Sequence, residues 1–478
     1  MSLEALFPDR PQPAKPVRLT IRRRLLGRGA RLRTLGVAAG LLSLGLTYGL
    51  PAHASTKNWI GPNTLTDWYA NSTFWSTTGF PQPSDDAVNS ALTKPMTLGK
   101  DASVNSFFSN SAFTLNGGAF SGSQLNSAST IQVNNVFTLN GGTINNFTLN
   151  AGVQQAGGPA PSSVVVTSNL STLSNTIVNA NVDMTNPNAY LRLLNANTVN
   201  GAITMATTSH GLDIYSTNDS LTLGATGSLT GFGNVYQDGS GGFLVNNGLV
   251  SANVSGKTLS LGQSNFATTG ATQVTKGATL NVTSTSFTQT AGLTQVDGVL
   301  NLVNAPLALK GGVLDGSGTI NGNVVNTGGT VSPGDSPGTL TIAGNYTQGS
   351  GGALDIEFTN SLHDLLNVTG LATTGGLLDV NFLDSAYTGG VGSQFAFLDY
   401  GTLVAGSGSN FGFTVTGHNG FTYTVVNDAS NKMLDLQVLT VGAPAVPEAS
   451  TTVSLGLLLA LGLGGLAVAA KRRKSVRA

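Results

Sequence analysis

The sequence contains no cysteine, which removes disulfide staples, thiolate nucleophiles and cysteine-ligated metals together. Charge is scarce as well. Asp, Glu, Lys and Arg make up 9% of the 478 residues, against about a quarter in an average soluble domain, so an ordinary globule solvated by ions is excluded. What fills the gap is glycine, at 63 residues, with abundant Asn, Ser and Thr. These supply turns and a neutral polar surface, while 40% apolar residues leave enough to bury a core; intrinsic disorder does not fit that balance.

The formal net charge of zero hides a segregation. Nine basic residues, Arg10 to Arg33, and two acids precede Ser55, and five basic residues and Glu448 follow Val446. The totals of 22 and 22 therefore leave 8 basic and 19 acidic residues between, a net charge of −11. An acidic body repels phosphate, which excludes nucleic acid as a partner.

Both ends read as targeting segments. Arg22, Arg23, Arg24, Arg28, Arg31 and Arg33 precede an apolar stretch, Leu35 to Leu50, and then Ala52-His53-Ala54. That order predicts a signal helix removed by signal peptidase between Ala54 and Ser55, with Ala52 and Ala54 as the small residues the peptidase needs. A permanent N-terminal membrane helix is the alternative, and Arg22-Arg23 also admits twin-arginine export. At the other end Val453 to Ala470 is uncharged, and about 27 Å of helix at 1.5 Å per residue just crosses a bilayer. Lys471, Arg472, Arg473 and Lys474 follow at once, and the positive-inside rule places them in the cytoplasm.

Val446-Pro447-Glu448-Ala449 stands just before that apolar span. The tail as a whole resembles the PEP-CTERM sorting signal, in which a Pro-Glu-Pro-like motif, a transmembrane helix and a basic end are recognised by the membrane protease-transpeptidase exosortase. Ala449 occupies the position where that family most often has proline. The resemblance covers Val446 to Ala478 and implies a route to the bacterial cell surface, with exosortase, the secretion machinery and signal peptidase as partners.

The body alternates. In Leu354-Asp355-Ile356-Glu357-Phe358 the apolar residues fall on one face and the acids on the other, and Leu378-Asp379-Val380-Asn381-Phe382 and Leu434-Asp435-Leu436-Gln437-Val438 repeat the pattern. Period two predicts strands with one buried face. The runs also echo one another: Phe113-Thr114-Leu115-Asn116-Gly117-Gly118 returns at Phe137 to Gly142, and Thr272-Gln273-Val274 returns as Thr294-Gln295-Val296. Repeats of that length suit a solenoid coil of two or three short strands. Coils of roughly 22 residues predict about fifteen of them over Ser55 to Phe382 and a rod on the order of 70 Å. A β-propeller, with blades of roughly 40 to 50 residues, fits less well.

The stretch from Gly316-Ser317-Gly318-Thr319-Ile320 through Ser332-Pro333-Gly334 to Gly344-Asn345-Tyr346-Thr347-Gln348, with Asp364 to Gly370, resembles the strand repeat of autotransporter passenger domains. That resemblance implies a right-handed parallel β-helix. The expected fold class is therefore all-β: a right-handed parallel β-helix or β-solenoid body with a small C-terminal β-cap, an N-terminal signal helix and one C-terminal transmembrane helix. The expected organisation is signal peptide 1–54, a Trp-rich cap 55–100, solenoid 101–388, β-cap 389–440, a linker with the sorting motif 441–452, membrane helix 453–470 and basic tail 471–478.

Candidate chemistry is thin. Trp59, Trp68 and Trp75 offer rings for stacking on sugars, although covering the open end of the first coil is the favoured role. His210, His363 and His418 are far apart, and no His-x-x-x-His pair exists to hold a metal. Asp85-Asp86, Asp355 with Glu357, and Asp379 with Asp384 are candidate acid and base pairs for glycan hydrolysis; Asp355 and Glu357 read rather as a solvated strand face. A lyase would want cations, and the body holds one arginine, Arg192. The glycines of Gly227 to Gly233 read as coil turns, since no Gly-x-x-x-x-Gly-Lys loop is formed. No catalytic residue, metal or cofactor is assigned. The expectation is a structural or adhesive protein of the cell surface or biofilm matrix, with extracellular polysaccharide as candidate partner; the alternatives are a polysaccharide-processing β-helix enzyme or a glycan-binding module.

Overall fold

A computed structural model describes residues 55–441 apart from 78, 124–128, 153–162, 168, 239–241, 335–336, 385–386 and 419. The alternation seen in the sequence becomes short strands whose apolar residues point inward. Phe113–Leu115, Thr258–Leu261 and Val299–Leu302 each bury every second residue. Each strand pairs in parallel with the strand one coil before and one coil after, so the body is an all-β parallel β-solenoid of about 13 turns. The described residues contain no α-helix, only the 3-10 turns Ser72–Phe74 and Asn410–Gly412.

Three parallel faces run along the solenoid. The first begins with Thr56–Asn58 and Asp86–Asn89, the second with Thr66–Asp67 and Met96–Leu98, the third with Ala102–Val104 and Ala119–Gly122. Stacking in register sets like on like. The echo found in the sequence is this register: Phe113, Thr114 and Leu115 lie opposite Phe137, Thr138 and Leu139, and Thr272 to Val274 opposite Thr294 to Val296. On the third face Leu259, Leu280, Leu300, Ile320, Ile342 and Val368 form one buried column. Burying each such side chain stabilises the fold by roughly 1.5–3 kcal/mol, and a column of them explains how a chain without disulfides holds together.

Turn length varies, which is why the coils are fewer than the fifteen expected from a uniform period. Asn301 and Asn321 are stacked 20 residues apart, Asn150 and Asn179 are 29 apart. Where the chain rounds from the first face to the second, an internal polar column closes the corner. Asn246, Gln289, Asn326 and Gln348 each donate a side-chain amide N–H to a carbonyl one coil on, at Ala271, Val313, Ala353 and Leu377, over 2.7, 2.9, 3.1 and 2.8 Å. A buried carbonyl left unmade would cost about 1–3 kcal/mol, so these amides belong to the fold. Gly231 and Gly233 differ from the expectation of turns: both lie inside the strand Ser228–Tyr236, where it bends without a break from the second face onto the third.

The two ends of the stack are closed differently. At the first coil Trp59, Trp68 and Trp75 are all buried, with Trp75 against both other rings at 5.2 and 4.7 Å, and Trp68 continues onto Phe107 and Phe120 at 5.6 and 5.8 Å. The rings cover the core and present no free face for a sugar. At the last coil Gln394–Val404 and Thr414–Gly417 still pair in parallel, and then Thr422–Asp428 and Met433–Thr440 fold back as an antiparallel hairpin on Gln394–Val404. Leu434 to Val438 thus shares its alternation with the coil strands and runs in the opposite sense.

Candidate functional site

Of the carboxylate pairs found in the sequence, Asp355 and Glu357 share one strand face, whereas the members of the other two are held by separate partners. Asp85 accepts from the Ser55 hydroxyl and, at 2.9 Å, from the Gln82 amide, whereas Asp86 accepts from Asn105 and Ser106 at 2.8 and 2.6 Å. Both are occupied in holding neighbouring turns. Asp384 accepts from the backbone and side-chain amides of Asn360 at 2.8 and 2.9 Å rather than facing Asp379. A further pair is one the sequence did not single out: Asp355 and Asp379 lie opposite each other in adjacent coils of the second face. His418 joins them, with Nε2 2.7 Å from an Asp379 oxygen.

Asp355 is not the solvated residue expected. One of its carboxyl oxygens is buried without a hydrogen-bond partner. Burial, and then the charges of Asp379 and Glu357, push its carboxyl up to about 6. Asp364, 1% exposed, is pushed by burial up to about 7, although the amides of Gly338 and Glu357 donate to it at 2.7 and 2.8 Å and favour its ionised form. The three histidines do not converge. His210 stacks on Tyr190, burial lowers His363, and His418 sits on Asp379. Among the described residues no group of three or more His, Asp or Glu side chains is placed to hold a metal.

A polar cluster on the third face is centred on the lone arginine of the body. Arg192, Asp213 and Tyr236 occupy one outward column in successive coils. Arg192 Nε donates to Asp213 and its Nη2 to Asp238, both at 2.7 Å. Its guanidinium lies 4.2 Å from the Tyr215 ring centroid, a cation–π distance. The Tyr190 hydroxyl accepts from Arg192 at 2.9 Å and donates to Asp238 at 3.1 Å, while its ring stacks on His210 at 4.9 Å. Burial raises the Asp213 carboxyl, and the hydrogen bonds from Arg192 and the Asp238 amide act against it. Tyr236 is raised by burial first and then by its hydrogen bond with Tyr190.

A break in the repeat makes this cluster possible. The long strand Ala202–Ile214 shifts register against Ser228–Tyr236 between Ala206 and Gly211, a bulge that throws Ser209 and His210 outward. Beside it a surface pocket of about 310 Å³ is lined by Ser209, Asn234, Val235, Tyr236, Ser260, Gly262 and Thr283. Tyr236 belongs to both pocket and cluster. Sequence reasoning noticed Arg192 only as a scarcity of cations; the usable signal was one arginine with Tyr190, Tyr215 and Tyr236 about one coil apart in an otherwise aliphatic region.

No family model matches the chain, and no curated protein matches it. Several sequence assignments lie outside the described residues: Val446, Pro447, Glu448 and Ala449, Ala52 and Ala54, and Lys471, Arg472, Arg473 and Lys474. So does Val453 to Ala470. Among the described residues no helix is long and apolar enough to cross a membrane. Ser55, the residue after the expected cleavage point, is exposed.

Proposed function

We propose that this chain is a non-enzymatic structural or adhesive protein of the bacterial cell surface or exopolysaccharide matrix, exported by a cleaved signal peptide and sorted by exosortase through its PEP-CTERM-like tail. In this reading the coil is right-handed, Val453 to Ala470 holds the precursor in the inner membrane, and the mature body is outside the cell. The observation that carries it is the side surface of the solenoid. Outward columns are amide and hydroxyl ladders bonded coil to coil: Asn116 to Asn140 at 2.6 Å, Asn150 to Asn179 to Asn200 at 3.0 and 2.8 Å, and Asn301 to Asn321 at 2.8 Å. Such a stiff, neutral, hydrogen-bonding surface suits contact with polysaccharide and needs no ions to stay hydrated.

The test is processing. Changing Pro447 and Glu448 to Ala leaves insertion intact, since neither lies in the apolar span, and blocks release to the surface. A charged residue at Leu459 costs about 2.5–3.5 kcal/mol of insertion free energy and weakens anchoring. Cell fractionation with the C-terminal mass of the mature chain reads both variants. An intact Lys471 to Ala478 tail on surface-released wild-type protein refutes exosortase processing.

A second reading, a glycan-processing enzyme, has one observation in its favour. Asp355, held up to about 6 beside Asp379, has the acid-and-carboxylate pairing that glycoside hydrolysis uses. Release of reducing ends from matrix polysaccharide that is abolished by Asp355→Asn and by Asp379→Asn would establish it; equal release by wild type and both variants would discard it.

A further inference from the structure

The hollow beside Tyr236 is not required by the backbone. Asn234 lies opposite Ser260 in the next coil, and one residue on Val235, Leu261 and Val282 stack in the core. Tyr236, Gly262 and Thr283 come next, so they form an outward column whose middle member has no side chain. That missing side chain makes the pocket. A Cβ on Gly262 would meet the Val235 carbonyl at 3.3 Å and Thr283 Oγ1 at 3.5 Å, contacts that a shift of a few tenths of an ångström relieves, and Gly262 has no positive φ. Contrast Gly270, where a Cβ would lie 2.2 Å from a backbone oxygen. Glycine at 270 serves coil stacking, whereas glycine at 262 leaves an open space on the surface.

The chemistry lining that space is specific. None of the seven lining residues is charged. Ser260 offers a hydroxyl and Asn234 an amide, and Ser209 and Thr283, whose hydroxyls donate to Asn188 and to the Leu261 carbonyl at 2.8 and 3.4 Å, offer acceptors, around the partly exposed ring of Tyr236. That ring lies 6.2 Å, centroid to centroid, from the ring of Tyr190, whose hydroxyl is fixed by Arg192 and Asp238. The Arg192 charge is matched by two carboxylates, one of them 45% exposed, so the neighbourhood is net negative. A volume of about 310 Å³ is at the lower end of ligand sites, which run from roughly 300 to 1,000 Å³.

We propose that this pocket is a subsite for a neutral hexopyranose, with Tyr236 stacking on the C–H face of the ring and Ser209, Asn234, Ser260 and Thr283 exchanging hydrogen bonds with its hydroxyls. An aromatic face with a ring of uncharged donors and acceptors matches the amphipathic surface of a sugar. With no cation among its lining residues and Asp238 near, the pocket disfavours uronates and other acidic sugars. Taking a polysaccharide as the source of the sugar rests on the matrix reading above; the pocket chemistry does not.

The experiment uses the full chain in a non-glycosidic detergent, with tetrasaccharides of glucose, mannose and galactose as neutral probes and tetragalacturonate as the acidic one. Saturation-transfer NMR and calorimetry are expected to show binding of at least one neutral probe and none of tetragalacturonate. Tyr236→Ala, and separately Gly262→Val, which fills the hollow with a strand-favouring side chain, should each weaken that binding at least tenfold. Should Tyr236→Ala fail to fold, Gly262→Val with an unchanged circular dichroism spectrum decides. No binding of any neutral probe, equal binding by wild type and Gly262→Val, or a preference for tetragalacturonate overturns the subsite. Cell fractionation keeps the two readings apart: a surface-located chain that binds no sugar loses the subsite and retains the matrix reading, and a chain confined to the cytoplasm that binds does the reverse.

Discussion

Alanine at two glycines of similar backbone conformation should have very different effects. Gly256 and Gly292 have φ of +72° and +71°, so each substitution carries the same penalty for a side chain in the left-handed region, about 1–2 kcal/mol, offset by about 0.4–1 kcal/mol of lost unfolded-state entropy. Their surroundings differ. A Cβ at Gly256 meets nothing within 4 Å, whereas at Gly292 it would lie 2.1 Å from the Gly270 carbonyl oxygen and 2.5 Å from that of Thr269. Relieving that clash needs a displacement of about 1 Å of one coil from the next, where coils are about 4.8 Å apart. The Gly270 oxygen accepts from Leu293 N–H at 3.2 Å, so the displacement also weakens an inter-coil hydrogen bond worth about 1 kcal/mol, more if the groups stay buried unpaired. Gly292→Ala should therefore destabilise by about 2–4 kcal/mol more than Gly256→Ala. Because solenoids unfold regionally, the assay is hydrogen exchange followed by mass spectrometry, comparing protection of 293–296 and of the coils on either side in both variants. Equal loss of protection in the two variants, or none at Gly292→Ala, would show that coil spacing is not what selects glycine there.

Two further outcomes follow from the structure. Asp355 and Asp364 bind protons more tightly folded than unfolded, with carboxyls at about 6 and about 7, so the native state holds the extra protons between about pH 4 and 7 and stability falls as pH rises through that window. Protection of Ala353–Phe358 should be greater at pH 5 than at pH 8, by on the order of 1–2 kcal/mol for Asp355 after allowing for its partial contact with solvent; Asp355→Asn should remove that share and leave the larger one of Asp364, whose carboxyl stands higher, and a dependence of the opposite sign would refute the burial argument. Trp68→Ala removes a fully buried ring that touches Trp75, Phe107 and Phe120, at a cost of about 3–5 kcal/mol, and it uncovers the first coil; light scattering should detect self-association through that edge, and a monomer with unchanged protection at Phe107 would refute the capping role.

Most of the fold was legible because a solenoid writes its register into the chain. A residue stacked on its counterpart in the next coil shares the same surroundings, so Phe113 and Phe137, or Thr272 and Thr294, came to match. The alternation of Leu354 to Phe358 and Leu378 to Phe382 likewise reported two strands that lie side by side in register. Period two records only which face is buried, though, and says nothing of strand direction. Leu434 to Val438 therefore reads like a coil strand while closing the stack in antiparallel sense. The same limit hid the state of Asp355, because alternation points a side chain outward without showing that the next coil's Asp379 stands against it.

The candidate site was illegible for the opposite reason. Seven residues from 190 to 238 meet on one face only after the register shift between Ala206 and Gly211 has displaced one coil against another, and a shift in register is what a repeat-based reading averages away. A regular column cannot discriminate, because each coil offers a ligand the same groups as the last; a neutral ladder such as Ser260, Asn281, Asn301 and Asn321 gives many equivalent weak contacts. Selectivity requires an interruption, and here bulge, arginine, tyrosines and the side-chain-free Gly262 coincide. The other register shift between parallel strands of the described residues, between Val368 and Leu371, falls where the last coils of the third face approach the closing hairpin. Interruptions thus serve two purposes on this scaffold, ending the stack in one place and differentiating its surface in the other, and the pocket at Tyr236 is where differentiation has left room for a ligand.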